Sequence, residues 1–346
     1  MATLAPWEKE LLEFVEIPSI TGDEAAAGQF LTHLLQHHFR DNSISTFEVA
    51  PGRNNIYCHI PNDSEELPII LTSHFDTVPG DVSVGYNDAY LTGRGTCDAK
   101  GQIIAQIWAA KRLVESGIRG LALCFVVGEE TDAIGARALI KHLPKSKYLL
   151  NGEPTGNLFV SKGWGVLDAK VQYAGTPKHS SLGTDDSAIH KMLTELSTLC
   201  SPVADSKHAL PSERSQISIN VGLIEGGHSA NTTSPSATAH LSIRYATSTD
   251  TCINTLNEMI KEGALTYLPP LEPLTLFVPD RCRETAIEVK FASDCSVFHG
   301  HVPHVMMRGP GSIADAHTDS EKLSRKEFER AIVEVAEELG KLLNTK

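Results

Sequence analysis

One apolar run, Leu121–Val127, ends directly in Gly128-Glu129-Glu130. A continuous apolar segment of that length has the size of a strand covered on both faces, as in a largely parallel sheet. Two adjacent glutamates at its carboxyl end are costly to bury unless they are used or solvated. Around this run, strand-like segments at Asn55–His59, Leu67–Ser73 and Lys147–Asn151 alternate with helical patterns at Thr21–Phe39, Gln102–Glu115 and Thr131–His142. Thr21 followed by Glu24 has the form of a capping box for the first helix. Strands alternating with helices over residues 1–160 argue for an α/β domain with a largely parallel core.

The pattern changes near Gly163. Val166–Tyr173, Gln216–Ile224 and Ala237–Tyr245 alternate like half-buried strands, with helical stretches at Ser187–Cys200 and Asp250–Gly263 among them. Pro269, Pro270 and Pro273 mark a return linker. Beyond it, Val302–Met307 reads as a strand, and Ser324 with Glu327 caps a final helix, Arg325–Leu343. The expected architecture is a discontinuous α/β domain over residues 1–163 and 271–346, with a smaller α+β domain inserted at 164–270.

Composition narrows the function. The 346 residues carry a formal charge of −13 and no long Lys/Arg run, which disfavours a nucleic-acid partner. No stretch approaches 18 apolar residues, so no membrane span is expected. The N-terminal segment carries Glu8, Glu10 and Glu13 among its apolar residues, the pattern of an amphipathic helix rather than a signal peptide. Seven dispersed cysteines without a CxxC pair fit free thiols in a cytoplasmic protein. The 15 histidines make a metal site easy to staff.

Five short segments fall at the carboxyl ends of the expected strands, the edge where open α/β sheets build sites. The first is Leu71-Thr-Ser-His74-Phe-Asp76. An Asp two residues from a metal-bound His can accept its second ring N–H and fix its tautomer. The second is Gly93-Arg-Gly-Thr-Cys-Asp98-Ala-Lys-Gly101, where Asp98 stands before a helix and could bridge two cations. The simple alternative is an Asp cap in a glycine-rich turn. The third is Glu129-Glu130. In an extended segment the two side chains point opposite ways, one toward metal and the other toward the attacking water. The plainer alternative is a pair of first-turn glutamates favoured by a helix dipole. The fourth is Asn151-Gly-Glu153-Pro-Thr. The fifth is the glycine-rich loop from Gly309 to Glu321 with Ala-His317. Two histidines and three carboxylates, Asp98, Glu130 and Glu153, make two positions for divalent ions.

With these segments in this order, the chain resembles the co-catalytic zinc aminoacylase and carboxypeptidase family, which includes acetylornithine deacetylase and succinyl-diaminopimelate desuccinylase. The resemblance spans nearly the whole chain. It implies an α/β/α metallopeptidase-like catalytic domain with a lid and dimerisation insert. It implies two Zn2+ ions, with Co2+ or Mn2+ able to substitute. His74 and Glu153 would hold one ion, Glu130 and His317 the other, and Asp98 would bridge them. Glu129 would be the general base and Asp76 would orient His74. The Asp98–Ala99 peptide would be cis.

The insert matches as well. Gly175-Thr-Pro-Lys-His179 resembles the family segment whose His crosses a dimer interface to stabilise the tetrahedral intermediate. Asn231 and Arg244 resemble residues that bind the substrate carboxylate, with Gly311 and Ser312 completing that subsite. The plain alternative for Arg244 is a strand-face salt bridge. A homodimer through the insert follows from the role of His179.

The implied substrate is a small N-acyl amino acid or dipeptide. Acetylornithine deacetylation in arginine biosynthesis is the leading expectation. A desuccinylase, a carrier-linked lysine or ornithine hydrolase, a dipeptidase, and a non-catalytic binding protein on the same scaffold are the alternatives. The segment Phe291-Ala-Ser-Asp294 is closer to desuccinylases, whereas the loop from Gly311 to Thr318 is closer to deacetylases.

Overall fold

Leu121–Val126 is buried at every position. In the computed structural model, which describes residues 3–40, 42–62, 67–200 and 216–344, it lies inside a six-stranded sheet. The order across that sheet is Ser43–Ala50, Arg53–Ile60, Leu121–Val126, Leu67–His74, Ser146–Asn151 and His304–Met307. The last four strands are mutually parallel, and the first two are antiparallel additions. Leu121, Leu123 and Phe125 join a core with Leu11, Phe14, Leu31, Ile103, Ile107 and Phe328. These come from helices Pro6–Val15, Ala25–His38, Lys100–Glu115 and Arg325–Asn344, which pack together. The alternate residues Ala122, Cys124 and Val126 face the other way, and the short helices Ile134–Leu139 and Cys295–Phe298 pack with each other. Both faces of the sheet are thus covered, which is why its central strand is a continuous apolar run. The fold is α/β/α.

The topology sets the site. The chain passes from Leu67–His74 through a helix to Leu121–Val126 on one side. It then returns to Ser146–Asn151 on the other side. Strand order therefore reverses around Leu67–His74, and its carboxyl end opens a crevice. Gly101, at the start of the following helix, allows a close approach there. A Cβ at that position would lie 2.2 Å from the Thr96 carbonyl oxygen.

The chain divides into two compact units. One is Met1–Ser161 with Leu276–Glu288 and Ser293–Lys346, and the other is Lys162–Thr275 with Val289–Ala292. The second unit thus takes in a four-residue segment that the sequence pattern does not mark. Its sheet is antiparallel, in the order Ile217–Gly226, Ser236–Tyr245, Gly165–Ala174 and Ala264–Tyr267. Gly165–Ala174 buries alternate residues against Met192, Leu196 and Leu256 of helices Ala188–Cys200 and Thr249–Met259.

Three local expectations are corrected. Thr21 and Glu24 do not form a capping box. The helix spans Ala25–His38 with no side-chain cap, and Thr21 instead donates its hydroxyl to Asp76 while Glu24 binds Arg53. The Thr131–His142 helix shrinks to Ile134–Leu139 plus a 3-10 turn, because residues 128–133 form a turn with Gly128 and Ala133 at positive φ. The helix expected to reach Gly263 stops at Met259, because the Glu195 carboxylate takes the N–H groups of Lys261, Glu262 and Gly263. The edge strand Ser43–Ala50 escaped the sequence reading, since its partly exposed residues give no clear alternation. No helix among the described residues is long and apolar enough to cross a membrane.

Candidate metal centre

His74 ends its strand and is 1% exposed. Its Nε2 lies 3.1 Å from Asp98 Oδ1, and its Nδ1 lies 3.0 Å from the backbone oxygen of Asp76. The Asp76 carboxylate is farther from the ring, at 3.5 Å. That carboxylate accepts from the Thr21 hydroxyl at 2.8 Å and from the backbone N–H groups of Glu129 and Glu130 at 3.1 and 3.3 Å. Asp76 therefore positions the glutamate turn as much as the histidine.

Glu129 and Glu130 do not sit in an extended segment with opposed side chains. Gly128, at φ 80°, turns the chain after the strand, and both carboxylates reach one centre. Glu129 Oε2 lies 4.0 Å from His74 Nε2. Glu130 Oε1 lies 2.9 Å from His317 Nε2, which is also 3.4 Å from Asp98 Oδ2. Asp98 thus faces His74 with one oxygen and His317 with the other, and the Asp98–Ala99 peptide is cis. His317 itself is held at φ 58°, a left-handed conformation that costs a non-glycine residue roughly 1–2 kcal/mol. Glu153 is buried, and its Oε1 accepts from Asn151 Nδ2 at 3.0 Å.

The charge balance of this cluster is informative. Burial pushes the Glu129 carboxyl well above its usual range, and Glu153, Asp294 and Glu130 add to the push. Burial likewise raises Glu153, with Asp98 and Asp294 reinforcing it. Burial opposes a charged His74, but hydrogen bonds to Asp76 and Asp98 outweigh it and hold the imidazolium. Asp98 and Glu130 draw His317 up to about 10. Glu129, Glu130 and Glu153 are thus pushed toward their neutral forms by burial and crowding, whereas hydrogen bonds from His317 and His74 hold Asp98 low despite its burial. Donor atoms of His74, Asp98 and Glu130 lie within 4.8 Å of one another. Neutral imidazole and carboxylate oxygen suit zinc and similar divalent ions. The residues present fit such a group.

Gly311 and Ser312, expected in the carboxylate subsite, make contacts within the chain. The Gly311 N–H donates to Glu327 Oε1 at 3.0 Å, leaving Gly311 no free N–H for a ligand. Ser312 is exposed, and its Oγ accepts from the Ala314 N–H.

His179, Asn231 and Arg244 belong to the second unit. His179 is exposed, and its Nδ1 accepts from the Ser181 N–H at 3.3 Å. The Ser180 N–H donates to the Asn231 backbone oxygen at 2.9 Å, so these two segments run side by side. Arg244 lies on Ser236–Tyr245 opposite Ser218 and Val166. No ion pair of Arg244 is formed among the described residues.

Thr21, Asn151 and Glu321 were not assigned roles by sequence reasoning. Thr21 carried a misleading capping signal. Glu321 closes the fifth segment, but nothing in its spacing announces its partners.

The model of peptidase family M20/M25/M40 matches residues 70–344 of the chain. The chain belongs to that family. This M20 chain is 30% identical over 357 residues to a probable carboxypeptidase of Aspergillus clavatus, covering 92% of this chain and 85% of that protein. Its fold matches a tripeptidase from Staphylococcus aureus with a TM-score of 0.79 at 19% identity, over 98% of both chains. It also matches an M20 family metallo-carboxypeptidase from Sulfolobus solfataricus with a TM-score of 0.76 at 15% identity, over 98% of this chain and 99% of that one. The M20 chain is a metallopeptidase-type hydrolase.

Proposed function

We propose that this M20 chain hydrolyses the amide bond of a short peptide or N-acyl amino acid with a free α-carboxylate, using two divalent ions, most simply Zn2+. The observation that carries the reading is Asp98 lying between His74 and His317 at 3.1 and 3.4 Å, with Glu129 and Glu130 beside them. His74 and Glu153 would hold one ion, Glu130 and His317 the other, with Asp98 shared. When bound, the ions lower the pKa of water and polarise the scissile carbonyl.

The chain's own groups do the rest. Glu129 accepts the proton of the attacking water and delivers it to the leaving nitrogen, a task suited to a carboxylate whose Oε2 lies 4.0 Å from His74 Nε2. Asp76 fixes the turn that presents Glu129. His179 is assigned to oxyanion stabilisation, and Asn231 and Arg244 to the substrate carboxylate, on the family resemblance. Ser181 supports the first assignment: an N–H donor on Nδ1 leaves the ring proton on Nε2, where it can be donated. A homodimer through the insert is supported by its edge strand Ile217–Gly226, where Leu223 and Ile224 are 61% and 53% exposed.

The carboxypeptidase name of the 30%-identical relative supports a peptide substrate. The loop Gly311 to Thr318 supports the narrower acetylornithine deacetylase reading in arginine biosynthesis. One panel tests both: N-acetylornithine, N-succinyl-diaminopimelate and dipeptides, with metal analysis of the same sample. Hydrolysis that chelation abolishes and Zn2+ restores is the expected result. A metal-replete protein that cleaves none of them overturns the proposal in favour of a binding protein.

A further inference from the structure

We infer that Glu321 is a positioning residue whose buried carboxylate shapes the loop presenting Asp98 and ties it to the segment carrying His317. Glu321 is 0% exposed. Its Oε1 accepts the backbone N–H groups of Gly95, Cys97 and Asp98 at 3.0, 2.9 and 3.0 Å. Its Oε2 accepts from Arg94 Nη1 at 2.7 Å, and its own backbone oxygen accepts the Gly93 N–H at 3.3 Å. Every residue from Gly93 to Asp98 except Thr96 is therefore bonded to this one residue.

The arrangement is an anion wrapped by a backbone nest. Three buried N–H groups converge on a single oxygen, and removing that oxygen would leave them unsatisfied. One of the three belongs to Asp98 itself, so the backbone of the shared carboxylate is fixed at the point where its side chain starts. Glu321 also lies four residues after His317 in the same loop. A single side chain thus registers the Asp98 loop against the His317 loop.

Substitutions separate the possibilities. Glu321→Gln keeps the shape but loses the charge, and it directs an amide N–H₂ either at Arg94 or at the loop N–H groups. Glu321→Asp keeps the charge but withdraws it by one methylene, out of reach of the nest. Arg94→Met removes the partner of Oε2 while leaving the nest in place. This inference rests on Asp98 being a metal ligand, as proposed above.

The test measures Zn2+ and Co2+ dissociation constants by chelator competition, the Co2+ absorption spectrum, kcat and KM, and the thermal midpoint. Glu321→Gln is expected to weaken metal binding ~10–100-fold. It should also alter the Co2+ spectrum, and lower kcat at saturating metal with little change in KM. Glu321→Asp does not rescue it, and Arg94→Met shifts affinity the same way by less. Wild-type metal affinity and spectrum in Glu321→Gln, with only a lowered thermal midpoint, would overturn the inference and make Glu321 a purely structural anchor. If Glu321→Gln does not fold, Arg94→Met decides, and an unchanged affinity and spectrum there overturns it too. Asp98→Asn is the control: intact metal binding in that variant sinks the reading of Asp98 as ligand rather than the role of Glu321.

Discussion

The Asp76 carboxylate accepts the backbone N–H of Glu129 at 3.1 Å. It accepts the Glu130 N–H as well, and Thr21 donates a third hydrogen bond from outside the strand edge. A residue two positions from the proposed histidine ligand thus sets the turn that carries the proposed base. The strand Leu67–His74 and the turn after Leu121–Val126 are parallel neighbours, so one carboxylate can link their ends.

This link predicts the behaviour of Asp76→Asn. The amide turns one of the two acceptor oxygens into a donor, which then faces either the Glu129 N–H or the Glu130 N–H and the Thr21 hydroxyl, so the turn loses part of its anchor. Activity is expected to fall ~10–100-fold or more, in line with the loss of a residue supporting metal ligands. Thr21→Val removes one hydrogen bond and should cost only a few-fold, near the net worth of about 1 kcal/mol for such a bond. Steady-state kinetics on both variants, with metal content measured alongside, checks the ranking. Equal losses would mean that Thr21 does more than support Asp76.

Metal removal should make stability more sensitive to pH. Glu129, Glu153, His74 and His317 all have folded-state pKa values above their usual ones. Each contributes stability below its unfolded pKa and loses it as pH rises through the folded value. Asp98 runs the opposite way, since hydrogen bonds from His317 and His74 outweigh burial and lower it, but its window lies at acid pH. The chelated protein should therefore lose thermal stability from about pH 6.5, the usual histidine value, up to about 10, where His317 titrates. Zn2+ replaces those protons, so its stabilising effect should grow with pH across that range, and binding should release protons. Calorimetry in buffers of different ionisation enthalpy measures the release. A Zn2+-induced shift in thermal midpoint that shrinks from pH 6.5 to 9 would contradict the assignment.

Much of this was legible in the sequence, and the reasons are local. Leu121–Val126 announced itself because a strand covered on both faces must be apolar throughout. His74, Asp98, Glu130 and His317, which the structure brings together, were legible as candidates because each sits in a short segment at or near a strand end. What stayed hidden depends on long-range contacts. Glu321 lies 223 residues from Asp98 in the chain, and no spacing rule connects them. Thr21 gave a local capping signal that a tertiary bond to Asp76 overrode. The opposed directions expected for Glu129 and Glu130 failed because Gly128 turns the backbone. The Gly311 N–H donates to Glu327, sixteen residues on, another contact that no local pattern announces.

His179→Ala should separate turnover from metal binding. His179 is exposed, and its ring bonds to Ser181 within its own turn. The expected result is a kcat reduced ~10²–10³-fold, the scale of losing one oxyanion donor, with both metals retained. Loss of metal in the variant would move His179 from oxyanion stabilisation to ligation.

The last prediction concerns Glu129. Its carboxyl is buried beside Glu153, Asp294 and Glu130, and it is held near His74 without a close hydrogen bond to it. A group so placed can gain and lose a proton without dismantling its neighbours' contacts. Glu129→Gln keeps the volume and the backbone bond to Asp76 but cannot accept the proton of the attacking water. Turnover should fall ~10²–10⁴-fold, the usual contribution of a positioned acid–base group. Metal content should stay at the wild-type level, because His74, Asp98, Glu130, Glu153 and His317 are untouched. Glu130→Gln is the contrast: it should reduce metal content along with activity, since Glu130 faces His317 at 2.9 Å. Kinetics and metal analysis on the pair therefore separate the base from the ligand. Near-normal turnover in Glu129→Gln would remove it from the chemistry.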